Sequence, residues 1–359
     1  MATHRDLMCA VLAIALGTGA AQAQVSSESS ASILVFPKIV YDGSRDTLIQ
    51  IVNGANSEVH AHCWYVNGAP TFPDLPAGPL NPPTWAMVDF PITLTRNQPT
   101  SFVASRGRLS APDDPACNLE WPRTEPLPPI VEANYDCYGA GIDPGIVPPM
   151  PLGFTGELRC VETDAAGFPI SGNHLTGEVM LVDAASGDAT RYGAIGIRGG
   201  LDNDGDGALR LGEEYDGCPQ ALLFGQQTDG SEDPQLGAGS SVENELTLTA
   251  CSIDYLTQSP QSVTVVFEVT NDLAQRLSTA ASLDGWRTVR LRDIDTIFSA
   301  GVLGAPVAQT RVDAAHQSMS GILGVVEEVH DAGAGRVSAA ATNLHMAGTR
   351  TAVDLITLP

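Results

Sequence analysis

Residues 202–213, DNDGDGALRLGE, are the stretch of this chain whose spacing calls for a specific chemistry. Asp202, Asp204 and Asp206 alternate along a short loop, so their carboxylates can be turned towards one point. Gly207 permits the sharp turn that follows, the Ala208 carbonyl can then face inward, and Glu213 can close the shell with both oxygens. Hard oxygen ligands in that number suit Ca²⁺.

The stretch resembles the EF-hand calcium loop. Asp202, Asp204, Asp206, Gly207 and Glu213 fill the defining positions, and Leu209 supplies the apolar residue at the eighth. The resemblance covers these residues alone and implies a Ca²⁺ site built from Asp202, Asp204, Asp206, Ala208 and Glu213. Two residues depart from the pattern. Arg210 stands where a small polar residue usually assists through a water, and Glu214 where an apolar residue would begin an exiting helix. Residues 192–200 read as a strand running into a glycine hinge, and 214–219 resemble the calcium repeats of thrombospondin type 3. The expectation is a structural calcium clip inside a β protein, of the extracellular kind that binds at ~10⁻⁴–10⁻³ M.

A second candidate is His60-Ala61-His62-Cys63. On a strand His60 and His62 project to one face and Cys63 to the other, so the two imidazoles, with a third ligand from elsewhere, suit copper or zinc. His316, His330 and His345 are scattered, with Ser318 and Ser320 near the first. No nucleophile-elbow motif or paired-histidine zinc motif accompanies them. Trp64, on the same predicted face as His60 and His62, is a candidate sugar-stacking ring; Trp85, Trp121 and Trp286 are the other tryptophans. Glu327 and Glu328 point to opposite faces of their strand.

Residues 1–23 read as a secretory signal: Arg5, an apolar core over 7–15, and Ala21-Gln22-Ala23 as the cleavage site, so the mature chain begins at Gln24. No later run approaches the ~20 apolar residues that span a bilayer. Export to the periplasm, the cell surface or the medium fits the six remaining cysteines, for which Cys63–Cys160, Cys117–Cys137 and Cys218–Cys251 are the expected disulfides. The net charge is −24 and Lys38 is the sole lysine, which excludes nucleic acid and anionic membranes as natural partners.

The elements that must position these residues are strands. Residues 59–66 alternate, with Val59, Ala61, Cys63 and Tyr65 on one face. Segments 33–41, 46–52, 85–94, 101–105, 155–162, 175–183, 189–197, 245–251, 262–270, 288–291, 321–329, 336–344 and 351–358 read similarly, and Pro37 marks 33–41 as an edge strand. The expected fold is all-β, with two immunoglobulin-like β-sandwich domains at 24–198 and 242–359. A Pro-rich excursion occupies 106–151, and the calcium loop with an acidic Gly-rich linker occupies 199–241. The functional expectation is an exported, calcium-stabilised structural or binding module for an extracellular protein or glycan, without catalysis. The alternatives are a secreted hydrolase with its site in the long loops, and a copper or zinc protein using His60 and His62.

Overall fold

The computed structural model of the chain describes residues 29–71, 81, 83–108, 144–200, 203–315, 320–333, 336–351 and 354–359. The expected leader at 1–23, the Cys117–Cys137 bridge, most of the Pro-rich excursion, Asp202 and His316 lie outside these residues.

The first half contains β1 (Ile33–Tyr41), β2 (Arg45–Asn53), β3 (Val59–Asn67), β4 (Met87–Leu94), β5 (Pro99–Val103), β6 (Phe154–Thr163), β7 (Leu175–Asp183), β8 (Asp188–Gly193) and β9 (Ile195–Ile197). Then follow β10 (Ala208–Leu211), β11 (Pro219–Gln227), β12 (Ser241–Ala250), β13 (Ile253–Asp254), β14 (Ser262–Asn271), β15 (Arg276–Asp284) and β16 (Trp286–Arg290). Short helical turns at Leu291–Ile294, Thr296–Phe298 and Ala300–Leu303 precede β17 (Val307–Ala314), β18 (Ile322–Asp331), β19 (Arg336–Asn343), β20 (His345–Arg350) and β21 (Asp354–Thr357).

These strands form five small sheets, the sheet number of a five-bladed β-propeller, and not two immunoglobulin-like β-sandwich domains. The strand orders are β4-β3-β6-β1-β9, β5-β2-β7-β8, β10-β21-β13, β15-β14-β17-β11-β20 and β16-β12-β18-β19. Most neighbours are distant in sequence, so each sheet is stitched together from separate segments instead of running as one meander. The two-sandwich expectation failed for a physical reason. Alternation reports that one face of a strand is buried, but not which strand lies beside it. The C-terminal β21, for instance, joins β10 and β13 in a sheet of its own. The halves are also tied edge to edge: Ala341 N donates to Thr190 Oγ1 at 2.7 Å, and Asn343 Nδ2 donates to the Gly193 carbonyl at 2.7 Å, linking β19 to β8.

Strand β1 corrects a second expectation. It lies between β6 and β9, not at an edge. Its apolar run ILVF does not alternate because both faces are covered. Leu34 and Phe36 face one buried cluster with Ile49, Tyr65 and Leu158, while Ile33 and Val35 face another with Trp64, Ile197, Leu211 and Ile356. Pro37 is accommodated at a register shift between Phe36 and Ile39, as a residue without an N–H requires. Side chains satisfy the displaced backbone: Tyr192 Oη donates to the Lys38 carbonyl at 2.5 Å, and Trp286 Nε1 donates to the Pro37 carbonyl at 2.6 Å.

The expected pairs Cys63–Cys160 and Cys218–Cys251 are both disulfide-bonded. Cys63 and Cys160 face each other across β3 and β6. Among the described residues no helix is long and apolar enough to cross a membrane.

Candidate functional site

Strand β10 fixes the end of the acidic loop. It pairs with β21, and Leu209 and Leu211 point into the apolar cluster beneath. Asp204, Asp206 and Arg210 are thereby left on the solvent side of the same short segment. Each of the first two carboxylates folds back on the loop: Asp204 Oδ1 accepts the Asp206 N–H at 3.0 Å, and Asp206 Oδ1 accepts the Ala208 N–H at 2.8 Å. The Ala208 N–H, and then the Arg210 guanidinium, hold the Asp206 carboxyl below the ordinary carboxylate value.

Arg210 sits among the residues read as calcium ligands. Its Nη2 donates to Asp206 Oδ2 at 2.9 Å, and its Nη1 donates to the Ala208 carbonyl at 3.4 Å and lies 3.8 Å from Asp204 Oδ2. Glu214 completes the ring of acceptors at 3.5 Å from Nη1. One guanidinium thus touches Asp204, Asp206 and the Ala208 carbonyl together.

At the closing position the two glutamates differ. Glu213 is exposed on the turn after β10, whereas Glu214 is buried. Glu214 Oε2 accepts the Arg210 N–H at 2.8 Å, and Oε1 accepts the Asp204 N–H at 3.4 Å, so this carboxylate spans the loop from end to end. Sequence spacing pointed to Glu213 for a metal and gave no signal for this backbone-holding role of Glu214. Nearby, Asp216 is buried with Oδ2 unpartnered, and burial pushes its carboxyl above the ordinary value.

His60 and His62 do share a face of β3, each with its own carboxylate. His60 Nε2 is 3.2 Å from Glu58 Oε1, and His62 Nε2 is 2.8 Å from Asp89 Oδ2. Trp64 is buried, stacked between His62 and Tyr255 with ring centroids at 4.5 and 4.7 Å. It has no open face for a sugar. Trp85 and Trp286 are buried as well, and Trp121 lies outside the described residues. Ser320, weighed as a nucleophile, donates to the buried Asp354 at 2.6 Å.

Sequence reasoning also missed a cluster around His330. Its Nδ1 is 2.7 Å from Asp233 Oδ2, and its Nε2 is 3.3 Å from Glu328 Oε1. Asp233 comes from the acidic linker and His330 from β18, 97 residues on. No local pattern could have joined them. Glu327 and Glu328 do part to opposite faces: Glu327 is fully buried against Lys38 at 2.7 Å, and Glu328 faces the His330 cavity.

Compared with models of known protein families and with curated proteins, the chain matches none.

Proposed function

We propose that this chain is an exported, non-catalytic structural or binding module whose acidic loop is closed by Ca²⁺. The carrying observation is the position of Arg210, whose guanidinium rests against Asp204, Asp206, the Ala208 carbonyl and Glu214. A ring of oxygen acceptors that gathers a cation from within the chain is poised to gather one from solution. Arg210 is 41% exposed and free to swing out when a metal with two charges takes its place. In this reading Asp202, Asp204, Asp206 and the Ala208 carbonyl are ligands. Glu214 rather than the exposed Glu213 supplies the buried closing carboxylate. The role is structural, since β10 carries the loop and pairs with the C-terminal β21. Two disulfides fit an oxidising compartment outside the cytosol. The large negative charge keeps such a surface apart from nucleic acid and anionic lipid, which leaves extracellular protein or glycan as the partner class.

Thermal unfolding with excess Ca²⁺ and with chelator tests this reading. At a concentration about 100-fold above Kd, a ligand bound by the native state alone adds ~2.7 kcal/mol, which for a chain of this size is a rise of a few degrees in Tm. Asp206→Asn and Glu214→Gln are expected to abolish the rise, while Glu213→Gln leaves it largely intact. Arg210→Ala is expected to tighten Ca²⁺ binding a few-fold by removing the competing cation, measurable by calorimetric titration. Equal melting temperatures with and without Ca²⁺ would show that Arg210 is the loop's permanent counter-ion.

A further inference from the structure

The cluster around His330 sets a carboxylate oxygen against each nitrogen of the ring. Asp233 is buried and fixed on every side. Its Oδ1 accepts the Gln235 N–H at 2.7 Å and the Leu236 N–H at 3.4 Å, and its own N–H donates to Ser240 Oγ at 3.0 Å. Its Oδ2 meets His330 Nδ1 at 2.7 Å. An ionised carboxylate can only accept, so the ring proton sits on Nδ1. Nε2, on the far side of the ring, faces Glu328 Oε1 at 3.3 Å. Glu328 is held in place from its other oxygen, which accepts the Gln227 N–H at 3.0 Å. At 3.3 Å the pair is longer than the ~2.7–2.9 Å of a charge-assisted hydrogen bond and suits two atoms that share one metal ion.

We propose that His330 Nε2 and Glu328 Oε1 are two ligands of a Zn²⁺-class divalent cation, with Asp233 as the outer carboxylate that sets the imidazole tautomer and orientation. Two ligands at ~2.0–2.2 Å from a tetrahedral zinc lie roughly 3.3–3.5 Å apart, the separation seen here. A carboxylate holding the far nitrogen of a metal-bound imidazole is the usual outer partner of such sites. His330 and Glu328 are two apart on β18, so both project from one face. The remaining coordination positions open into a cavity of about 410 Å³, which Ser338 and Gln227 also line. The metal therefore keeps water or takes an exogenous oxygen or nitrogen ligand there. The nitrogen donor separates this site from the all-oxygen calcium loop, since imidazole suits zinc, copper and nickel.

The test is a Zn²⁺ titration of the oxidised full chain by calorimetry, with Co²⁺ absorption to report tetrahedral geometry. About 5 mM Ca²⁺ is kept present so that the acidic loop does not contribute. One saturable site is expected, with affinity on the order of micromolar. His330→Ala and Glu328→Gln are each expected to abolish it, and Asp233→Asn to weaken it by about 10- to 100-fold. The paired variant His60→Ala/His62→Ala should bind as the parent does. Near-UV circular dichroism confirms the fold of each variant, and the isosteric Glu328→Gln carries the test if His330→Ala does not fold. Absence of saturable Zn²⁺ binding overturns the proposal and makes His330 a proton-holding ion pair. Binding that survives both His330→Ala and Glu328→Gln, or that disappears only in the His60/His62 variant, overturns it equally.

Discussion

Replacing Lys38 by Met is expected to remove about 3–5 kcal/mol of folding stability, the usual cost of stranding a buried charge. Lys38 is almost completely buried on β1. Its Nζ lies 2.6 Å from Glu245 Oε2 and 2.7 Å from Glu327 Oε2. Those glutamates stand directly opposite each other on β12 and β18, an arrangement in which like charges repel. The ammonium between them turns that repulsion into a bridge, and it connects the first sheet to the fifth. Arg45 reinforces it from β2, with Nη1 3.1 Å from Glu245. With Met at 38, Arg45 alone faces two carboxylates. Urea denaturation at neutral pH measures the loss, and Lys38→Met/Glu327→Gln should recover a large part of it.

The same bridge sets an acid limit. Burial alone would raise the Glu245 carboxyl, but the Lys38 charge and then that of Arg45 outweigh it and hold the group at about 2, against 4.5 for a free glutamate. A folded value below the unfolded one means that the contribution is complete above pH 4.5 and drains away as pH falls from about 4.5 towards 2. Stability measured through that window should fall steeply in the parent and less steeply in Lys38→Met, where Arg45 alone still lowers the carboxyl. A loss under ~1 kcal/mol at neutral pH, with unchanged acid slope, would mean that water already solvates the bridge.

How much of this was legible beforehand depends on range. The alternation of 59–66 placed Cys63 and Tyr65 on the inner face and His60 and His62 on the half-exposed one, as the structure has them, but Trp64 and Val66 on that second face are buried under another cluster. Cys63–Cys160 was expected as a tie between two strands and Cys218–Cys251 as the closure of a short irregular segment, and both pairs form. Asn53 and Asn271, the last residues of β2 and β14, perform matching work. Each side-chain carbonyl accepts an N–H two residues on, and each amide donates to a distant backbone carbonyl, that of Leu94 or Leu303. The number of sheets was beyond reach, because β10, β13 and β21 are too short to signal a sheet and are drawn from three distant segments. Lys38 stood out in the sequence only as the sole lysine, since its two partners lie 207 and 289 residues away. In the acidic loop the inward turn of Glu214 onto the Arg210 N–H was not legible, because it follows from 208–211 forming a strand that turns back at Gly212.

Arg159→Met is the second substitution expected to cost about 3–5 kcal/mol, for a reason that separates shape from charge. Arg159 lies on β6, almost fully buried, two residues from the buried Glu157 and on the same face of the strand. Its Nε donates to Glu157 Oε1 at 2.9 Å and its Nη2 to Oε2 at 3.2 Å. The other side of the fork reaches into the second half of the chain. Nη1 donates to the Cys251 carbonyl at 2.8 Å, and Nη2 donates to Thr249 Oγ1 at 2.9 Å and to the Ala250 carbonyl. One planar cation therefore satisfies a carboxylate and two backbone carbonyls at the end of β12, beside the Cys218–Cys251 disulfide. Methionine fills much of the volume and supplies no donor, so Glu157 keeps only the Thr249 hydroxyl and both carbonyls lose a partner. Lysine keeps the charge but not the fork, and Arg159→Lys should fall between parent and Met. Arg159→Met/Glu157→Met should regain most of the loss, because removing both charges from an apolar site is often neutral or better. Guanidinium denaturation of the four proteins gives the ordering. A single variant Arg159→Met as stable as the double would mean that the fork holds shape rather than charge.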